Sequence, residues 1–180
     1  MLPEARSKPL YTGQYLTLCS RNGWEYIHRR HPVVVMVAWT PNRELLLVEQ
    51  YREPIGGRTI ELPAGLVGDE IGSEDEDLLK AAARELEEET GWRSDRLSEI
   101  MRCPTSSGMS DETAVFILAE ELVQTGPGGG TASENITVHA IPHDQIDKWL
   151  DQQRQAGLAL DPKIYAALYW SLRPINQATL

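Results

Sequence analysis

The chain has 180 residues, 41% of them hydrophobic, and a formal net charge of −10. That length suits one domain with a real core and leaves room for an added arm, and the hydrophobic fraction excludes disorder over most of it. The charge excludes a nucleic-acid binder working by counterion release, and an anionic substrate would need a metal to reverse the local field. Cys19 and Cys103 lie far apart in sequence and match no metal-ligand spacing. They read as free thiols of a cytoplasmic protein, a single disulfide being the lesser reading. Residues 1–10 carry no apolar run, so neither a signal peptide nor a membrane span is expected.

Residues 1–10 read as a loose lead-in. Residues 14–19 and 24–28 alternate as strands, and Arg21-Asn22-Gly23 between them predicts a hairpin turn. Residues 32–38 form a continuous β-branched run, suited to a strand covered on both faces. Residues 44–51 supply its partner, and residues 59–62 a short strand stopped by Pro63. A loop rich in glycine and acid follows over 63–75. Ser73 with Glu76 makes a capping-box pattern, which predicts a helix from about residue 74 to a C-cap at Gly91. Strands are expected near 97–103 and 113–119, a mobile surface loop at Gly126–Gly130, a last strand at 135–139, and helices over 142–153 and 162–172. Strands before, between and after helices give an α/β layered domain.

The helix at 76–92 carries more negative charge on one side than its own pattern relieves. At 100° per residue, Glu88 and Glu89 fall about 60° and 40° to either side of Glu85, so three carboxylates share one arc. Glu87 points about 200° away, to solvent, while Leu79, Ala82 and Leu86 line the adjoining arc toward a core. Like charges at i,i+4 cost roughly 0.2–0.5 kcal/mol per pair, and Glu85 and Glu89 form such a pair. Oxygen-only ligands favour a hard cation, Mg²⁺ or Mn²⁺.

Glu76, seven residues, then Arg84-Glu85-Leu86-Glu87-Glu88-Glu89-Thr90-Gly91-Trp92 resembles the core of the Nudix box, G-x5-E-x7-R-E-U-x-E-E-x-G-U. Upstream the pattern departs: ten residues rather than five separate Gly65 from Glu76, which reads as a five-residue insertion in the preceding loop. Glu49-Gln50-Tyr51-Arg52, Glu61-Leu62-Pro63-Ala64-Gly65 and Ser107–Glu112 further resemble the ADP-ribose pyrophosphatase branch of the Nudix hydrolases.

The resemblance implies an α/β/α sandwich around a mixed β-sheet with an N-terminal strand extension, divided as an arm over 1–30 and a hydrolase domain over 31–180. It also implies Mg²⁺-dependent hydrolysis of ADP-ribose or a similar nucleoside diphosphate sugar. The alternatives are a GDP- or UDP-sugar, a dinucleotide or a nucleoside triphosphate as substrate, or a catalytically silent nucleotide-sugar sensor. Metal ligands would be Glu85, Glu88, Glu89 and the Ala64 carbonyl, with Glu76 and Arg84 as supports. Glu112 is the expected general base, with Glu88 and Glu89 on the helix as the alternatives and Asp111 as a substitute. Arg52 would clamp phosphate, and Trp24, Tyr26 and Tyr51 would stack on a nucleobase, their ordinary alternative being core or interface positions. A homodimer is expected by the same analogy. Glu134 reads as an exposed carboxylate.

Overall fold

The apolar runs become strands buried on both faces, and the amphipathic segments cover them. The computed structural model describes residues 7–68, 76–130 and 135–171. The chain begins with β1 (Lys8–Thr12), β2 (Thr17–Arg21) and β3 (Trp24–His28), then β4 (Val33–Ala38), β5 (Glu44–Arg52), β6 (Gly57–Glu61) and β7 (Ala64–Leu66). Helix α1 (Leu78–Thr90) is followed by β8 (Trp92–Arg93), β9 (Arg96–Pro104), β10 (Thr113–Glu120), β11 (Val123–Gln124) and β12 (Thr137–Pro142). A 3-10 turn at His143–Gln145 leads into α2 (Ile146–Gln155), and β13 (Ala159–Leu160) and α3 (Lys163–Ser171) complete the described chain.

Two mixed sheets form the centre, ordered β7-β4-β10-β9 and β12-β5-β6-β13. In the first, β4 and β10 run parallel, from Val33 beside Ala114 to Ala38 beside Ala119, and their outer neighbours are antiparallel. Side chains alternate between two cores, as the period of two demands. Val35, Val37, Ala114 and Phe116 pack with Ile146 and Leu150 of α2 and with Ile164 and Ala167 of α3. Val34, Met36, Val115 and Ile117 pack with Ala81, Ala82 and Leu86 of α1. Each of the Val, Ile, Leu, Met and Phe side chains taken fully out of water contributes about 1.5–3 kcal/mol. The result is the expected α/β/α layering.

Strands β1, β2 and β3 form a separate antiparallel sheet. Its β2–β3 hairpin turns at Asn22 and Gly23, both with positive φ, as the sequence predicts. Tyr11, Tyr15 and Trp24 stand largely exposed on it. This sheet is tied to the β9–β10 loop through Ile27, whose N–H donates to the Met109 carbonyl and whose carbonyl accepts the Asp111 N–H.

Several local expectations are corrected. Lys8–Thr12 is a strand, not a loose lead-in, because it pairs with β2. Ala64–Leu66 is a strand inside the expected loop, because it pairs with β4. Helix α1 starts at Leu78, about a turn later than expected, because Asp77 is the N-cap and accepts the N–H groups of Leu79 and Lys80. Ser73, the expected cap, lies outside the described residues. The later start leaves Leu79 38% exposed, so Ala81 rather than Leu79 joins Ala82 and Leu86 against the core.

Candidate active site

The acidic arc of α1 faces β7, an edge strand of the first sheet. Glu89 is 4% exposed, and its Oε2 accepts the Ala64 N–H at 3.0 Å. In an extended strand the N–H and C=O of one residue point to the same side, so the Ala64 carbonyl is directed off the sheet edge with its N–H. Glu85 lies against the next residue. A Cβ on Gly65 would fall within 3.0 Å of three atoms of the Glu85 side chain, so glycine there makes room for the carboxylate. Glu88 stands at the rim with a half-exposed side chain, and Glu87 is exposed as expected.

Arg84 relieves the excess charge that the sequence left unpaired. Its Nη1 donates to Glu85 Oε1 at 2.8 Å and to Glu88 Oε2 at 3.3 Å. Its Nε and Nη2 donate to the two carboxylate oxygens of Glu76, each at 3.3 Å. Glu76 also accepts the Gly68 N–H, and these contacts, the Arg84 hydrogen bonds first, hold its carboxyl below the ordinary value. A shielded hydrogen bond to a charged group is worth about 1.5–3 kcal/mol, several times the i,i+4 repulsion. Arg84 thus links Glu76 to two of the three acids, Glu85 and Glu88.

The glycine run is not a free loop. The N–H groups of Gly129 and Gly130 donate to the carbonyls of Glu89 and Glu88, which the end of α1 would otherwise leave unpaired. Gly91 caps the helix in the left-handed region at φ 71°, and Gly128, at φ 67°, packs directly on this turn. The run thus fixes the last helical turn, which carries two of the three carboxylates. Glu134 lies outside the described residues.

Arg52, at the end of β5, lies on the α1 side of the second sheet. Its Nε and Nη2 grip both oxygens of Glu61, each at 2.7 Å. Thr59 also donates to Glu61, and Lys163 bonds Asp161 at the start of α3. Burial alone would push the Glu61 carboxyl up, but the hydrogen bonds from Arg52 and Thr59 and the charges of Arg52 and Lys163 hold it below the ordinary value. Glu89 is among the charges that raise the Arg52 pKa, which ties this pair to the helix acids.

The other candidates do not gather here. Glu112 bonds Arg29 at 2.9 Å and Thr105 at 2.9 Å, while its neighbour Asp111 bonds His28 at 2.7 Å. Trp24 is 73% exposed on the N-terminal sheet, and the Tyr26 hydroxyl pairs with Ser7 and Arg21. Tyr51 precedes Arg52 on one strand, so its half-exposed ring leaves the opposite face. Sequence reasoning passed over Glu61 and the Ala64 N–H. Glu61 stands opposite Val48, on the same strand face as Arg52, a register the sequence does not announce.

Three carboxylates and one carbonyl are hard oxygen donors, the donor chemistry that suits a divalent cation. Among the described residues no three acids already stand in metal-holding geometry.

The layered fold and the acid-rich helix define a member of the NUDIX domain family, whose model matches residues 29–160, and the chain belongs to that family. An ADP-ribose pyrophosphatase of Bacillus subtilis (strain 168) is 40% identical over 94 residues, 52% of this chain and 48% of its own. The methanol dehydrogenase activator of Bacillus methanolicus is 32% identical over 127 residues, 70% of this chain and 63% of its own. An ADP-ribose pyrophosphatase of Mycobacterium tuberculosis (strain ATCC 25618 / H37Rv) is 38% identical over 93 residues, 52% and 43% of the two chains. The matched stretch thus spans 43% to 63% of these relatives' lengths. A solved structure described as an ADP compounds hydrolase superposes with a TM-score of 0.64 at 18% identity, over 84% of this chain and 85% of its own, which supports the fold.

Proposed function

We propose that the protein hydrolyses the pyrophosphate bond of ADP-ribose or a similar nucleoside diphosphate sugar, releasing a nucleoside monophosphate and a sugar phosphate, with Mg²⁺ or Mn²⁺. The observation that carries this reading is the pair of shielded carboxylates, Glu85 and Glu89, fitted against Ala64–Gly65. The activities named for the Bacillus subtilis and Mycobacterium tuberculosis relatives agree with it.

Glu85, Glu88, Glu89 and the Ala64 carbonyl would hold the cation. When bound, it supplies positive charge to the pyrophosphate and acidity to a water. Arg84 keeps the acids apart and aimed. Arg52, fixed by Glu61 through Nε and Nη2, offers Nη1 to a phosphate oxygen. The general base is Glu88 ahead of Glu112. A base must reach the water it deprotonates. Glu88 needs only to leave a 3.3 Å contact with Arg84, whereas Glu112 must leave both Arg29 and Thr105.

The arm over 1–30 presents Trp24 and Tyr26, and exposed Tyr11 and Tyr15 beside them suit a homodimer in which that arm covers a nucleobase in the other subunit. Cytoplasmic residence fits the two free thiols.

The test is product analysis over a panel of nucleoside diphosphate sugars, dinucleotides and nucleoside triphosphates with Mg²⁺. The reading expects AMP and ribose 5-phosphate from ADP-ribose as the fastest reaction. Tight binding of one compound with turnover of none would replace it with a sensor.

A further inference from the structure

The second sheet carries a buried donor that the fold does not use. Gln50 is 8% exposed, and its side-chain amide nitrogen is buried without a hydrogen-bond partner among the described residues. A donor so placed loses its water and gains nothing, which native folds avoid unless something else supplies the acceptor.

Its position says where that acceptor comes from. In the β5–β6 register Gln50 stands opposite Thr59, between Val48 opposite Glu61 and Arg52 opposite Gly57, with no register shift. Alternate residues share a face, so Gln50, Arg52, Thr59 and Glu61 point the same way. The protein acceptors on that face are already taken. Both Glu61 oxygens are held by Arg52, and Thr59 shares one of them. Arg52 in turn commits Nε and Nη2 to Glu61, which leaves Nη1 without a protein hydrogen bond among the described residues. Two donors, one of them on a cation, are thus presented by residues two apart on one strand face, and a group with several acceptor oxygens and negative charge satisfies both.

We infer that Gln50 is a substrate-binding residue whose side-chain amide donates to an oxygen of the same phosphate group that Arg52 holds. This rests on the proposed nucleoside diphosphate chemistry and deepens it: Arg52 supplies charge to the phosphate, and Gln50 fixes which of its oxygens faces the strand.

Gln50→Met keeps the side chain's length and removes the donor. Because the lost donor has no partner in the fold, the variant melts at or above the wild-type temperature. The KM for ADP-ribose rises about tenfold or more, with kcat within about threefold. The same loss appears in the Kd of a non-hydrolysable methylene analogue of ADP-ribose, measured by calorimetry. Gln50→Glu, which sets a negative charge against the phosphate, binds the analogue more weakly still. Wild-type affinity for the analogue in either folded variant overturns the inference, and the amide then serves an internal water alone. A melting temperature lowered by many degrees in Gln50→Met, with KM unchanged, overturns it too, by making the amide structural. If the wild type neither binds the analogue nor cleaves any nucleoside diphosphate compound, the proposed function fails first and takes this inference with it. Turnover by the wild type with unchanged Gln50 variants removes the inference alone.

Discussion

Replacing Gly65 by alanine separates the architecture of the site from the stability of the fold. The added Cβ would lie under 3.0 Å from Cγ, Cδ and Oε1 of Glu85, where ordinary contact is 3.4–4 Å. Gly65 does not use the left-handed region, so alanine meets no backbone strain of its own. The obstacle is a side chain that can swing, and relief takes about an ångström or more of carboxylate movement away from β7. Overpacking of this kind costs about 1–3 kcal/mol, within the 5–15 kcal/mol typical of a domain, so the variant folds. A reacting group misplaced by about 1 Å loses about 10²-fold in rate. The expectation is therefore a folded Gly65→Ala whose kcat/KM for ADP-ribose, at saturating Mg²⁺, falls by about two orders of magnitude. A thermal melt run alongside confirms the fold. A folded variant with wild-type kcat/KM would refute the reasoning, since the Glu85 carboxylate would then have no part in the reaction.

Gly128→Ala meets backbone instead, with its Cβ 2.6 Å from the Glu89 carbonyl oxygen and 2.7 Å from the Gly91 nitrogen, at φ +67°. Nothing there can swing aside, so thermal denaturation is expected to lose about 2–4 kcal/mol; an unchanged melting temperature would mean the glycine run does not seat on the helix. Acid stability follows from Glu61, Glu76 and Asp111, whose carboxyls are all held below their ordinary values. Each contributes stability that is present above its unfolded pKa and lost as pH falls through the lower folded one. The melting temperature should drop as pH falls below about 4.5, and less steeply in Glu61→Gln; identical acid profiles would contradict the Arg52–Glu61 linkage. On the helix itself, Glu87→Gln leaves kcat within about twofold, while Glu88→Gln lowers it by about 10²-fold or more, as loss of a general base does. If Glu112→Gln carries that loss instead, the base belongs to the β9–β10 loop.

Helical periodicity alone located the acidic arc, because three carboxylates separated by three, four and one residues can share a face only on a helix. The β-branched run at 33–38 likewise announced a strand buried twice over, and Val34 and Val35 do enter different cores. What stayed hidden depends on partners distant in sequence. Arg84 is plain in the motif, but its fan across Glu76, Glu85 and Glu88 is set by where the chain before α1 leaves Glu76. Ser73 and Glu76 make a good local capping box, yet Glu76 is drawn to Arg84 and Gly68, and Asp77 caps the helix. The glycines at 126–130 have the composition of a loose loop. Only the proximity of the α1 terminus turns their small size into a requirement. Gln50 was legible by parity with Arg52, but that its amide is buried and unpaired is a property of packing.

In the proposed reaction, acids on one helix, with a divalent cation, cleave a nucleoside diphosphate sugar. AMP release from ADP-ribose, followed for wild type and Glu85→Gln across a Mg²⁺ titration and again in excess EDTA, tests it most directly. AMP release is expected to rise with Mg²⁺ in the wild type, vanish in EDTA, and fall by about 10²-fold or more in Glu85→Gln at every Mg²⁺ concentration. Release of AMP that persists in EDTA, or a Glu85→Gln variant as fast as the wild type, would contradict it.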